Sequence, residues 1–109
     1  MNEVIKIAHE MQRAIEALKL EGQLSGNLIQ AKAESTMKYK QSRAVHAVRA
    51  KGEGMQVTLI KHHAEGEAAQ EEYDMIVATE SLKAHWVRMD NLKAQLNGLQ
   101  SINRHLSTV

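Results

Sequence analysis

MIVATESLKAHWVRMDNLKAQLNGLQSINRHL, residues 75–106, is the stretch whose spacing decides the fold. Within it Met75, Ala78, Leu82, His85, Met89, Leu92, Leu96, Leu99, Asn103 and Leu106 fall at alternating steps of three and four. At ~3.6 residues per turn these positions line one side of a helix, and the heptad spacing marks packing on other helices. Carried back to Glu67, the pattern predicts one helix over 67–106, a rod of roughly 60 Å at ~1.5 Å per residue. A compact domain of this chain length has a radius of gyration near only ~13 Å, so the rod is longer than the globule it should sit in. The class is all-α and coiled-coil-like.

Upstream of the seam lies an acidic block. Glu65, Glu67, Glu71, Glu72, Asp74 and Glu80 precede Lys83, and acids at a helix start suit the macrodipole. Lys51-Gly52-Glu53-Gly54 predicts a break. Met55, Val57 and Leu59 alternate as a strand would, but no second strand signal exists to pair with them. A short helix over 57–65, ending near Gly66, is the expectation. Asn97-Gly98 reads as a tolerated glycine costing about 1 kcal/mol, because Leu96, Leu99 and Leu106 stay in register across it.

Proline is absent, so helices can run long. Val4, Ile7, Met11, Ala14 and Leu18 predict a first helix over 2–21. Gly22 is placed to stop it, and Ser25 or Asn27 to cap the next, which makes residues 20–27 a hinge. A second helix follows over 28–51, with a thin stripe of Ile29, Ala33, Met37, Ala44, Ala47 and Val48. Its charge is the more distinctive property: Lys32, Lys38, Lys40, Arg43, Arg49 and Lys51 stand against Glu34 alone. Lys32, Lys40, Arg43 and Lys51 share an arc of about 100°. The expected architecture is a single domain over 1–109: a long antiparallel helical hairpin of 28–51 against 67–106, with an additional N-terminal helix alongside.

The totals fit a folded chain, 43% hydrophobic and 25% charged. Aromatics are confined to Trp86, Tyr39 and Tyr73, so the core has to be built from Leu, Ile, Val, Ala and six Met. So few large side chains make a small monomer marginal, and association adds burial. A homo-oligomer, most simply a dimer through the heptad seam, is expected. Cysteine is absent, which excludes disulfides, thiolate zinc sites and a Cys nucleophile. The start, Met1 to Lys6, does not read as a signal peptide, and the longest apolar run, Met75 to Ala78, is far short of a membrane span. A cytoplasmic chain with no membrane partner is the expectation. The net charge of +1 names no partner, though it argues against a wholesale acidic DNA mimic.

Three groups of residues carry candidate chemistry. The arc of Lys32, Lys40, Arg43 and Lys51 could neutralise phosphates and bind nucleic acid without sequence preference. Set against that, the same cations could pair with the acidic start of the last helix, and no aromatic platform for single strands accompanies them. His62, His63, Glu65, Glu67 and Glu71 resemble a metal cluster, but Gly66 interrupts the spacing and no second ligand pair is evident, so no metal site is expected. His85 and Asn103 are polar residues on the seam, where such residues fix register. The expected interface is Leu82, Trp86, Met89, Leu92, Leu96, Leu99, Ile102 and Leu106. Glycine-rich phosphate loops, GxSxG and HExxH are all missing, so neither an enzyme nor a cofactor is expected.

The layout resembles small helical proteins encoded in the early regions of tailed bacteriophages and prophages. The residues behind the resemblance are Ala33-Glu34-Ser35 through Tyr39-Lys40, the step Lys51-Gly52, and Leu92 through Arg104. It covers about two thirds of the chain and carries no catalytic residues across. What the resemblance implies is a cytoplasmic accessory acting by binding. The leading expectation is therefore protein–protein binding that modulates recombination, replication or a host nuclease or defence complex. Nucleic-acid binding through the basic arc is the alternative, and a structural coiled-coil assembly part the second alternative.

Overall fold

The computed structural model describes residues 2–108. It contains α1 (Asn2–Gly52), α2 (Val57–Glu67) and α3 (Ala69–Ser107), and no strand occurs among the described residues. The all-α class and the antiparallel pairing of long helices are therefore present.

The expected first and second helices are one. Residues 20–27 stay helical, so there is no hinge and no separate N-terminal helix. Two glycines cost a helix about 1 kcal/mol each, but packing against a neighbour outweighs propensity of that size. Gly22 is half-buried, and a Cβ placed on it would lie 3.9 Å from Met89 Cε. Ser25 turns its hydroxyl toward His85 instead of capping a helix. The residues that read as a stop and a cap are the landing place for α3.

Ile7, Met11, Ala14, Leu18, Glu21, Ser25 and Leu28 are covered positions of the first half of α1. Further along, Ser35, Thr36, Tyr39, Ser42, His46, Ala47 and Ala50 are covered, while Ile29, Ala33, Met37, Ala44 and Val48 are exposed. The Ala-rich stripe expected to face the hairpin partner faces outward, apart from half-buried Ala47.

α1 ends where a break was expected, by a Schellman closure. Gly54 takes φ 85°, Met55 N–H donates to Ala50 C=O at 3.0 Å, and Gly54 N–H donates to Lys51 C=O at 3.1 Å. Gly66 does not end α2. The joint is Ala68, fully buried, whose N–H donates to Ala64 C=O at 3.0 Å while its C=O receives Glu72 N–H at 2.9 Å. α3 runs straight through Asn97-Gly98.

The chain, expected as one domain, divides into two compact units. One pairs the part of α1 up to Gly26 with α3 from Lys83 onward. There Glu3, Ile7 and Glu10 lie beside Ile102 and Leu106, while Glu21 and Ser25 meet His85, so the two segments run antiparallel. Ala14, His85 and Leu99 are its buried residues.

The other unit is Asn27–Leu82. Leu28 and Ala31 face Tyr73 and Val77, Ser35 and Lys38 face Glu71 and Asp74, and Lys40 to Ala47 face Val57 to Glu65. Ala50, Ala64, Ala68 and Leu82 are buried. Alanine lets helices approach closely but removes little apolar area from water.

All ten seam positions of α3 are covered. Leu82, His85 and Leu99 are buried, and Met75, Ala78, Met89, Leu92, Leu96, Asn103 and Leu106 half-buried.

Candidate binding surfaces and a buried polar cluster

His85 is the one large side chain that is fully enclosed among the described residues. Its Nδ1 lies 2.7 Å from Glu21 Oε2 and its Nε2 lies 2.7 Å from Ser25 Oγ. Arg88 Nε donates to the other Glu21 oxygen at 3.1 Å. An ionised carboxylate only accepts, so the ring proton sits on Nδ1 and is donated to Glu21. The Ser25 hydroxyl has two options. It donates to a neutral Nε2, or it receives Nε2–H from a charged ring and turns its own proton to Met89 Sδ at 3.9 Å. Either protonation state is satisfied, and no buried side-chain N or O among the described residues lacks a partner.

The Glu21 carboxyl is held below its ordinary value, first by the hydrogen bond from His85 and then by Arg88, against the opposing effect of desolvation. Trp86 packs its ring at 5.0 Å and 54° to the imidazole while remaining 42% exposed.

Serine, histidine and glutamate are here connected in the order that a nucleophile, a base and its orienting acid would take. Acyl transfer also needs N–H donors aimed at the developing oxyanion. Ser25 sits deep inside α1, where neighbouring N–H groups are used in the helical ladder, and His85 is closed to solvent. The connectivity is that of a triad, while the surroundings are those of a helix-packing lock.

The basic arc is intact and open. Lys32, Lys40, Arg43 and Lys51 are exposed, as are Lys38 and Arg49. The expected pairing with the acidic start of α3 does not form: none of the six has a carboxylate within 4.0 Å among the described residues. Arg43 instead lies over the Tyr39 ring at 5.2 Å.

Of the residues expected at a subunit interface, Leu82 and Leu99 are buried, and Met89, Leu92, Leu96 and Leu106 half-buried, within the chain itself. The half of α3 from Lys83 onward is covered by the start of α1. Trp86 and Ile102 alone of that set stay exposed. His62 reaches Glu65 at 4.0 Å, and no three of His, Cys, Asp or Glu among the described residues converge as metal ligands.

The apolar residues on the outside are what the spacing argument missed. Leu20, Leu24, Ile29, Met37, Val45 and Val48 on α1 are exposed, with Val57 and Leu59 on α2 and Tyr73, Ile76 and Val77 on α3. In the unit of Asn27–Leu82, Ala44, Ala47, Val57, Ile60 and Ala64 floor an open groove of about 650 Å3 between α1 and α2. A contiguous run of this kind marks a binding surface more often than an isolated exposed leucine does.

No helix among the described residues is long and apolar enough to cross a membrane. No protein family, no curated protein and no solved structure matches this chain.

Proposed function

We propose that this chain is a non-enzymatic binding protein that works by presenting outward faces of its helical pairs to another protein. One observation carries the reading: most buried residues are alanine, while many of the valine, isoleucine and leucine side chains stand in solvent. Four of the seven buried residues among those described are Ala, whereas Val57 is 81% and Val48 73% exposed. A chain that stabilises itself by its own core alone would place them the other way round. Self-association, a dimer in the simplest case, belongs to the same proposal, with its contacts on these exposed side chains. The cytoplasmic setting and the modulation of recombination, replication or a host nuclease or defence complex rest on the phage-type resemblance alone.

Affinity purification of the tagged chain from its native host, followed by mass spectrometry, tests the reading. A stoichiometric protein partner is expected. Recovery of the bait alone at high coverage counts against it.

Direct binding of nucleic acid is the second reading, favoured by the four exposed arc cations with no carboxylate nearby. Retention of a generic duplex that weakens steeply with salt would move it to first place.

A further inference from the structure

We infer that the groove between α1 and α2 takes one amphipathic, acidic helix of a partner protein. The inference rests on the protein-binding reading above and specifies its site and the partner's chemistry.

The shape comes first. On α1 the wall runs from Lys40 to Ala47, and on α2 from Val57 to Ala64, a span of seven steps in each case. Seven steps along a helix rise about 10 Å, the distance between the first and last anchors of an i, i+3, i+4, i+7 pattern. The floor residues, Ala44, Ala47, Val57, Ile60 and Ala64, are all hydrocarbon, and three of them are Ala. Walls of alanine let a third helix approach to the ~8–10 Å spacing of packed helices. Val57, 81% exposed, supplies apolar area that such a helix would cover.

The charge comes second. Lys40, Arg43 and Lys61 stand on the rim against Glu65 alone, and none of the three has a carboxylate within 4.0 Å among the described residues. The Tyr39 ring under the Arg43 guanidinium holds that cation in place at the mouth. A helix with leucine-type anchors and carboxylates on its flanks matches floor and rim together. A sugar–phosphate backbone matches the rim and leaves the hydrocarbon floor wet. A second copy of α1 would bring like charge to the rim.

The test uses the full chain, isotopically labelled, and three probes. The first is a synthetic helical peptide with leucines at i, i+3, i+4 and i+7 flanked by glutamates. The second is the same peptide with lysines for the glutamates, and the third a generic DNA duplex. The acidic peptide is expected to shift amide resonances of residues 40–47 and 57–65, and the lysine peptide to leave them in place. Arg43→Glu and Ala44→Trp, both at exposed positions, are each expected to weaken the acidic peptide by about tenfold or more at unchanged circular dichroism.

Absent shifts, shifts elsewhere or equal binding of the lysine peptide would overturn the proposal. A duplex that shifts the same residues would give the groove to nucleic acid. Self-association abolished by Ala44→Trp would give it to a second copy of the chain. The two readings also fail separately. If the acidic peptide does not bind while a partner captured from the host stays bound to the Ala44→Trp chain, the groove falls and the protein-binding reading stands. If neither peptide nor captured partner is found, both fall.

Discussion

Glu21 and His85, sixty-four residues apart in the chain, share a hydrogen bond of 2.7 Å between a carboxylate oxygen and an enclosed imidazole. The contact ties one turn of α1 to one turn of α3 and admits a single register between them. A slip of one heptad would leave the imidazole against apolar side chains and the carboxylate without its donor, each a costly outcome. Polar groups at seam positions give specificity of pairing in this way, at some expense in stability.

Removing the imidazole should therefore cost more than a surface change. His85→Ala leaves a cavity and orphans Ser25 and Glu21, for an expected loss of about 2–4 kcal/mol. Replacing both partners, Glu21→Leu with His85→Leu, should recover part of that loss, because the cavity is filled and no carboxylate is left without its donor. Urea denaturation of the two variants checks the order. A double variant weaker than His85→Ala would show that the pair itself stabilises the fold.

The lowered Glu21 carboxyl sets a direction with pH. Its native value lies below the ordinary 4.5, so the unfolded chain binds the proton more readily. The contribution of this group is present above about pH 4.5 and is lost as pH falls through the lowered native value. Glu21→Gln should thus be less stable than the parent at neutral pH and converge with it in acid. Trp86, the single tryptophan, lies against His85 and reports the transition by its fluorescence. Parallel curves for the two chains from neutral pH into acid would sink this account.

The α3 seam was legible because a strict heptad of large residues has one reading, and every predicted position is covered. The face of α1 was not. Between Leu28 and Lys51 the covered positions are Ser35, Thr36, Tyr39, Ser42, His46, Ala47 and Ala50, while the larger apolar side chains Ile29, Met37, Val45 and Val48 are exposed. Local composition points to the wrong stripe, because the covered positions there are mostly polar or Ala. The continuity of α1 was hidden by Gly22 and Ser25, whose types suit a stop and a cap as well as they suit a contact with His85. His85 was visible as a polar seam residue. Its partners were not, since nothing local relates residues sixty or more positions apart.

Glycine substitutions separate the two readings of α1. Gly22 and Gly26 lie in helix, with only Met89 Cε in ordinary contact range of the first and nothing near the second. Gly22→Ala and Gly26→Ala should each stabilise the chain by about 0.5–1 kcal/mol. Gly54→Ala should destabilise by about 1–2 kcal/mol, since φ 85° is strained for any residue with a Cβ. Thermal melts of the three variants decide it. A loss at Gly26→Ala would restore the hinge.

The basic arc provides the last separation. Lys40, Arg43 and Lys51 are exposed and make no ion pair within 4.0 Å among the described residues, so their charge contributes little to folding. Changing all three to Gln should move stability by no more than about 0.5 kcal/mol. Some gain is even expected, because six cations on one helical segment repel one another. A melt that drops sharply would mean that the acidic start of α3 answers these charges in solution. With folding intact, the variant becomes a clean probe of binding. If the parent holds a duplex and the variant releases it, with a flatter dependence on salt, the arc contacts phosphates. If the parent's affinity for duplex is unchanged by the substitutions while an acidic peptide is lost, the same cations serve the rim of the groove between α1 and α2.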